Sequence, residues 1–370
     1  MNIPFTLSLY FGRIFAVAVA IMLAALAALV SLFDFLELLR EASSSPRANF
    51  GIIGQIELFR LPWTLLQILP FAILLGGIFA FWRLARSSEL VVVRAAGVSA
   101  WQFLATPVLL ATLFGVFGTG ALSPLSAVMF SRADTLYNAY LAPGGGPLSL
   151  HGGELWVRQA DSGLTPAGVA VLHADGVHLH KNLLHTGQLM ILRLDPQTML
   201  LQRIEAAQAT LIPGAWDLTQ VSTLQPGAVP QRQAELLFPT DLTTLRVEES
   251  FASPNSLSFW ALPGFIALLQ RSGFSTTAHE LAFQALAALP LLCATMALVA
   301  AGFSMRPSRR GGATRMMVSG VGCGFALFMV SEVANQFGTS GAIPVILAAW
   351  APSVAGLFLA LALLLHLEDG

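Results

Sequence analysis

Charge is scarce in this chain. Asp, Glu, Lys and Arg make up only 11% of its 370 residues, against about 25% in ordinary soluble domains. Lysine is almost absent, with Lys181 the single example. No G-x-x-x-x-G-K-[ST] sequence occurs, so the chain lacks the loop that cradles nucleotide phosphates. Any energy drawn from ATP and Mg²⁺ must come from another subunit, and no cofactor is expected in this one. Cysteine is nearly missing too. Cys293 and Cys323 both fall in long apolar stretches, and the polar stretch 126–279 has none, so no disulfide holds that part together. The net charge of −1 offers no basic field for nucleic acid, and no such partner is expected. No nucleophile–base arrangement stands out. His173, His178, His180 and His185 cluster, and His-x-His on a strand can bind metal. Without a cysteine or a convincing acidic partner no metal site is expected there.

What the chain has in abundance is apolar residues, at 55% of the total and a mean hydropathy of +0.72. They gather in six runs, at 14–33, 61–82, 98–122, 281–303, 316–337 and 343–366. Each is long enough to cross a hydrocarbon core of about 30 Å as a helix. The first run is longer than the apolar core of a signal peptide, and no convincing cleavage site precedes Asp34, so it is expected to remain as a span. With the N-terminus in the cytoplasm, the inner-facing segments hold Arg13, Arg83, Arg86, Arg94, Arg306, Arg309, Arg310 and Arg315, and the short outer loops hold Arg40, Arg47 and Arg60. That excess predicts cytoplasmic N- and C-termini and places the long insertion outside the cytoplasm, in the periplasm of a bacterium.

The expected organisation is therefore a multi-pass inner-membrane protein with an inserted all-β domain. Residues 1–125 form three transmembrane helices, 126–255 the β domain, and 256–370 an interfacial helix and three more spans. The second span is predicted to begin near Leu61-Pro62, with proline in its first turn. Pro70 should kink it, and Gly76-Gly77 allows close helix contact. In the insertion, the runs 154–158, 187–194, 198–204 and 215–221 read as strands. The turn signals Asp161-Ser162-Gly163, Asp175-Gly176, Asp195-Pro196 and Pro213-Gly214 bound them. Strands at this spacing suggest a sandwich or jelly roll. Leu189–Leu192 is continuously apolar, which fits either close packing or an inner face that meets a greasy ligand. Leu189, Ile191, Trp216 and Leu218 are the candidate lining of such a path, with Met190 and Leu192 as the opposite parity. Residues 256–271 are apolar but broken by Pro263 and Gly264, and predict a helix lying on the outer membrane surface with Trp260 at headgroup level.

Two sets of polar residues remain. Between spans 2 and 3, Ser87 can N-cap a short helix, Glu89 suits its positive end, and Gly97 can end it. Leu90 and Val93 share one side. The segment is either an ordinary capped connector or a helix shaped for a groove on a cytoplasmic partner. Arg40, Arg60 and Arg132 lie near the outer ends of spans 1, 2 and 3. Their planar donor forks suit phosphate, and headgroup anchoring is the alternative. Asp34 and Glu37 stand close to Arg40 in the sequence. Glu332, with Asn335 and Gln336, lies in the outer half of span 5, either as a functional acid or simply near the water interface.

The segment Ser88-Glu89-Leu90-Val91-Val92-Val93-Arg94-Ala95-Ala96-Gly97-Val98-Ser99 closely resembles the corresponding loop of the LptF/LptG family of lipopolysaccharide-export permeases. Ser272-Gly273-Phe274-Ser275, Phe303-Ser304-Met305-Arg306 and the ending Ala348-Ala349-Trp350-Ala351-Pro352 with Leu364-Leu365-His366-Leu367-Glu368 resemble its LptG branch. The resemblance covers the membrane halves well and the insertion only in type. It implies a permease that extracts lipopolysaccharide from the inner membrane and passes it to a periplasmic β-jelly-roll bridge. The implied partners are an LptF-like permease, an LptB-like ATPase dimer, and LptC-like and LptA-like bridge proteins. Ser88, Glu89, Leu90, Val93, Arg94 and Gly97 would form the coupling segment that docks into the ATPase, and Arg40, Arg60 and Arg132 would face lipid phosphates. The rival expectations are the LptF branch, an envelope-lipid enzyme using Glu332 and the histidines, and a structural scaffold.

Overall fold

The computed structural model describes residues 5–42, 49–87, 89–95, 97, 99–141, 149–151, 154–161, 163–164, 168–180, 183–197, 199–240, 242–243, 247, 253–271, 275–304 and 313–368. Its helices are α1 (Phe5–Ala42), α2 (Phe50–Arg86), α3 (Glu89–Ala95), α4 (Ala100–Phe117), α5 (Ser123–Tyr140), α6 (Leu262–Arg271), α7 (Thr277–Ser304), α8 (Ala313–Thr339) and α9 (Val345–Glu368). Hydrocarbon offers no partner for a backbone N–H or C=O, so a spanning segment must satisfy them within itself as a helix. Among the described residues, six stretches are long and apolar enough to cross a membrane: Thr6–Ala42, Phe50–Arg86, Trp101–Tyr137, Thr277–Ser304, Val318–Thr339 and Val345–His366.

Two boundaries differ from the sequence expectation. Helix α2 begins at Phe50, where the Asn49 side chain accepts from the Ile52 N–H at 2.9 Å, so Pro62 lies inside the helix rather than in its first turn. The third span joins α4 to α5 through a π-helical turn, Gly118–Leu122, and ends at Tyr140, past the boundary expected at residue 125. The helix outlasts its apolar run because its continuation has something to pack against. Ala133, Leu136, Tyr137 and Leu141 join Leu38, Ile53 and Ile56 of α1 and α2 in a separate apolar cluster.

Helix α2 is the centre of the helical unit and packs on α1, α5, α7 and α8. Its glycines set the spacing. A Cβ at Gly76 would lie 2.6 Å from the Val19 Cα of α1, and one at Gly77 would lie 2.8 Å from the Ala300 Cβ of α7. Hydroxyl and amide side chains add bonds between helices. Thr119 donates to the Leu286 carbonyl at 2.7 Å, Thr295 to the Ser353 carbonyl at 3.2 Å, and the Trp350 indole to Gln284 Oε1 at 3.0 Å. Such contacts matter where lipid removes the hydrophobic drive for helices to associate.

The insertion forms a second unit. Its ten strands are β1 (Ser149–His151), β2 (Glu154–Asp161), β3 (Gly168–Ala174), β4 (His178–His180), β5 (Leu183–Thr186), β6 (Leu189–Leu194), β7 (Leu200–Ala206), β8 (Gln208–Ile212), β9 (Ala215–Leu224) and β10 (Gln231–Pro239). All belong to one antiparallel sheet in the order β1-β2-β3-β6-β7-β9-β8-β5-β4, with β10 also on β9. The sheet curls into a half-barrel around a single core. Strand β9 pairs with β10 and also serves two further ladders: residues Ala215 to Thr219 pair with β8, and Ser222 to Leu224 pair with β7. At the switch Gln220 takes φ +53°, a left-handed conformation uncommon outside glycine. The irregularity changes the parity, so Trp216 and Leu218 point inward before it and Val221 after it. The expected turns form as read. Gly163 N–H donates to Asp161, Asp195 accepts from the N–H groups of Gln197 and Met199, and Gly176 and Gly214 have positive φ.

Helix α6 departs from expectation. Its Phe265 and Leu269 pack into the core of the sheet, so its apolar side is committed to protein rather than to a bilayer surface. An ion pair ties β6 to the end of β2. Arg193 holds Asp161 through two bonds, of 2.5 and 2.9 Å, and donates a third to Gln202. The guanidinium holds the Asp161 carboxyl below its ordinary value of 3.8.

Replacing Gly76 by Val should be costly, because backbone rather than a flexible side chain occupies the space. We expect a loss of about 1–3 kcal/mol or more in thermal unfolding of the purified chain. Gly54→Val meets nothing within 4 Å and serves as the control. The Asp161 pair gives a pH signature. Its stabilisation is complete above the ordinary carboxylate value and is lost as pH falls through the lower, folded value. Asp161→Asn should therefore lower the β unit's melting temperature at neutral pH and flatten its decline below about pH 4, followed by circular dichroism.

Candidate functional site

The connector between α2 and α4 is a capped helix held from one side. Ser87 ends α2 rather than starting α3: its N–H bonds the Arg83 carbonyl and its hydroxyl the Leu84 carbonyl at 3.2 Å. Helix α3 follows with Glu89 in its first turn. Gly97 then adopts φ +83°, the left-handed conformation that ends a helix and that a side chain would strain. Ser99 caps α4 through a reciprocal box with Gln102. The expected connector is present, with one correction. Val93 does not form an outward edge. It is 8% exposed and belongs to the main apolar core of the helical unit, whereas Val92 is 68% exposed. Three consecutive valines gave no signal to choose among them. Glu89 is half-buried, and the Tyr10 hydroxyl of α1 lies within hydrogen-bonding reach of its carboxylate. Ser88 lies outside the described residues, as do the side chains of Leu90 and Arg94.

The opposite end of α2 carries the three arginines proposed for phosphate. They lie on α1, α2 and α5, whose ends the small apolar cluster packs together. Their surroundings differ. Arg40 is exposed and pairs with Glu37 one helical turn away at 2.5 Å. Arg60 is half-buried, 5.2 Å over the Tyr137 ring, and its charge acts on Glu57 and Asp134. Arg132 is exposed and, among the described residues, has no ion-pair partner. Of the three it is the cation available to an outside anion. Arg60 and Arg86 are 26 positions apart on one helix, so the arginine end and the α3 end are separated by about 39 Å.

In the β unit, Leu189 is 2% exposed, and Ile191, Trp216 and Leu218 are fully buried in one core. The inward parity read from the sequence is the observed one, since Met190 and Leu192 are only partly buried. The Trp216 Nε1 has no acceptor among the described residues. Glu332 is exposed on α8. His173 stacks on Trp156 at 4.1 Å and faces Asp175, and His185 bonds the Thr210 hydroxyl at 3.0 Å. The side chains of His178 and His180 lie outside the described residues.

A profile of the family described as "Lipopolysaccharide export system permease LptF/LptG" matches residues 9–366. The chain belongs to the LptF/LptG family of lipopolysaccharide export permeases. It is 25% identical to the "Lipopolysaccharide export system permease protein LptG" of Escherichia coli strain K12, over 98% of this chain and 99% of that protein. It is 26% identical to the LptG of Haemophilus influenzae, over 94% of this chain and 95% of that protein. Within the family this chain is most similar to LptG. It is a multi-pass membrane protein whose six apolar helices carry one inserted β domain.

For such a permease the burial of Val93 makes α3 a fixed projection of the helix bundle. Val93→Ala should cost about 1–2 kcal/mol in unfolding of the purified chain, through lost burial and a small cavity. Val92→Ala should change stability by less than about 0.5 kcal/mol. Equal effects would mean that α3 is not anchored through Val93.

Proposed function

We propose that this chain is the LptG-like subunit of an ATP-driven exporter that draws lipopolysaccharide out of the inner membrane. It pairs with an LptF-like permease. An LptB-like ATPase dimer docks in the cytoplasm, and LptC-like and LptA-like proteins continue its β domain across the periplasm. The observation that carries this reading is end-to-end similarity to proteins named LptG, together with a short helix between the second and third spans. The arginine excess on the α3 side supports a cytoplasmic position for α3 and both termini, and a periplasmic position for the β domain.

In this mechanism Ser88, Glu89, Leu90, Arg94 and the outward Val92 meet the ATPase, Val93 roots the helix in the bundle, and Gly97 sets its end. Closure of the ATPase dimer pushes on α3, and close-packed side chains carry the displacement into the spans. Lipopolysaccharide occupies a cavity between this chain and its permease partner. Arg132 binds a lipid A phosphate through its donor fork. Arg40 contributes once it exchanges Glu37 for phosphate, and Arg60 shapes the site from behind. The expelled acyl chains pass to the β domain, where Leu189, Ile191, Trp216 and Leu218 offer an apolar interior worth about 0.8 kcal/mol per buried CH₂. Those side chains already fill that interior, so entry requires the half-barrel to open.

The test is purification of the full complex followed by reconstitution. We expect co-purification with a cytoplasmic ATPase and lipopolysaccharide release that requires ATP. Val92→Asp should weaken ATPase association while leaving the chain folded. Arg132→Glu should leave association intact and reduce lipopolysaccharide photocrosslinking about tenfold, the effect of losing one charge-assisted hydrogen bond. ATPase-free purification, or ATP-independent release, would overturn the proposal.

A further inference from the structure

A groove of about 330 Å³ opens between α1 and α2 toward their α3 end. Its chemistry is graded along the helix axes. Tyr10, Arg13 and Arg83 stand at the mouth, and Val17, Ile21 and Phe79 line the deeper part. Both arginines are exposed, and among the described residues neither forms an ion pair. No acid occurs in α1 before Asp34 or in α2 after Glu57, so the charge of this stretch is of one sign. Glu89 is the one acid that approaches the mouth, from α3 and beside Tyr10, so one carboxylate stands against two guanidiniums among the described residues. From Arg13 to Ile21 the groove runs eight residues, about 12 Å, most of the depth of one hydrocarbon leaflet of about 15 Å.

We propose that this groove binds an anionic glycerophospholipid of the cytoplasmic leaflet, its phosphate on Arg13 and Arg83 and one acyl chain along Val17, Ile21 and Phe79. Two guanidiniums against the single carboxylate of Glu89 leave the mouth net positive, which suits phosphate and favours an anionic over a zwitterionic headgroup. The cytoplasmic leaflet is the one rich in such anions. This site lies at the far end of α2 from Arg132 and is separate from the lipopolysaccharide site. A headgroup seated there touches Tyr10, which in turn reaches Glu89, so the lipid sits one side chain away from α3. The leaflet rests on the orientation proposed above, whereas the groove and its charge do not.

A photoreactive residue at Ile21 of the full-length chain, with its partner subunits in vesicles of equal phosphatidylglycerol and phosphatidylcholine, tests the site. We expect phosphatidylglycerol adducts about tenfold in excess, and near-equal capture in the Arg13→Gln, Arg83→Gln double variant. Equal capture in the unsubstituted chain, or an excess untouched by the double variant, overturns the proposal. So does an adduct with a polypeptide alone, which would mean that protein covers the groove. Excess inorganic phosphate should leave the adduct in place, and its loss would assign the arginines to free phosphate instead. Vesicles with phosphatidylglycerol confined to one leaflet separate the two readings. Capture only from the leaflet opposite α3 supports the groove and overturns the orientation.

Discussion

The bundle depends on how closely α2 approaches its neighbours. Lipid tails are as apolar as leucine, so helices in a membrane gain little by hiding apolar surface from one another. What holds them is dispersion at short range, which fades within a fraction of an ångström. Gly76 and Gly77 let α2 come within backbone contact of α1 and within methyl contact of α7. Gly115 does the same for α4, where a Cβ would lie 2.5 Å from the Pro290 Cα of α7. With these spacings fixed, Phe15, Phe81, Ile73 and Leu74 close into the core that also receives Val93.

That core joins Val93 of α3 to side chains of α1, α2, α4 and α7. Helix α3 is thereby packed on the bundle through Val93 rather than held as a loose loop. At the other end, α1, α2 and α5 close over the small cluster around Ile56 and Ala133. The arginines there divide by environment: Arg60 is half-buried over the Tyr137 ring, Arg40 is held by its helical neighbour, and Arg132 stands open. Arg132 is accessible to an outside anion, whereas Arg60 is half-buried against the Tyr137 ring.

The β unit follows a different logic. Its core is made by one sheet folded back on itself, and the fold needs a strand that can change partners midway. Strand β9 does so at Gln220, where the parity reversal keeps Trp216, Leu218 and Val221 on the same side. A regular strand would have sent Val221 outward, away from the core that it shares with Ile204. The Asp161–Arg193 pair and the bonds of Gln159 to the Pro239 carbonyl and Thr240 hydroxyl then join β2 to β6 and to the end of β10. These hold the curl by side chains rather than by a continuous ladder.

The sequence by itself determined the six spans, the inserted β domain, most of its turns and the inward set Leu189, Ile191, Trp216 and Leu218. These follow from local rules: the length of an apolar run, the period of a strand, and the conformations glycine, asparagine and aspartate adopt. The motif around Glu89 also located the connector helix. Tertiary structure alone decided which of three consecutive valines faces outward, how far α2 and α5 extend beyond their apolar runs, and that α6 belongs to the sheet. It also decided that Arg60 is half-buried while Arg132 is open, and that Arg13 and Arg83 line one groove between α1 and α2. Each of those outcomes depends on which distant side chain arrives as a neighbour, because burial and charge compensation are properties of pairs that no local pattern contains.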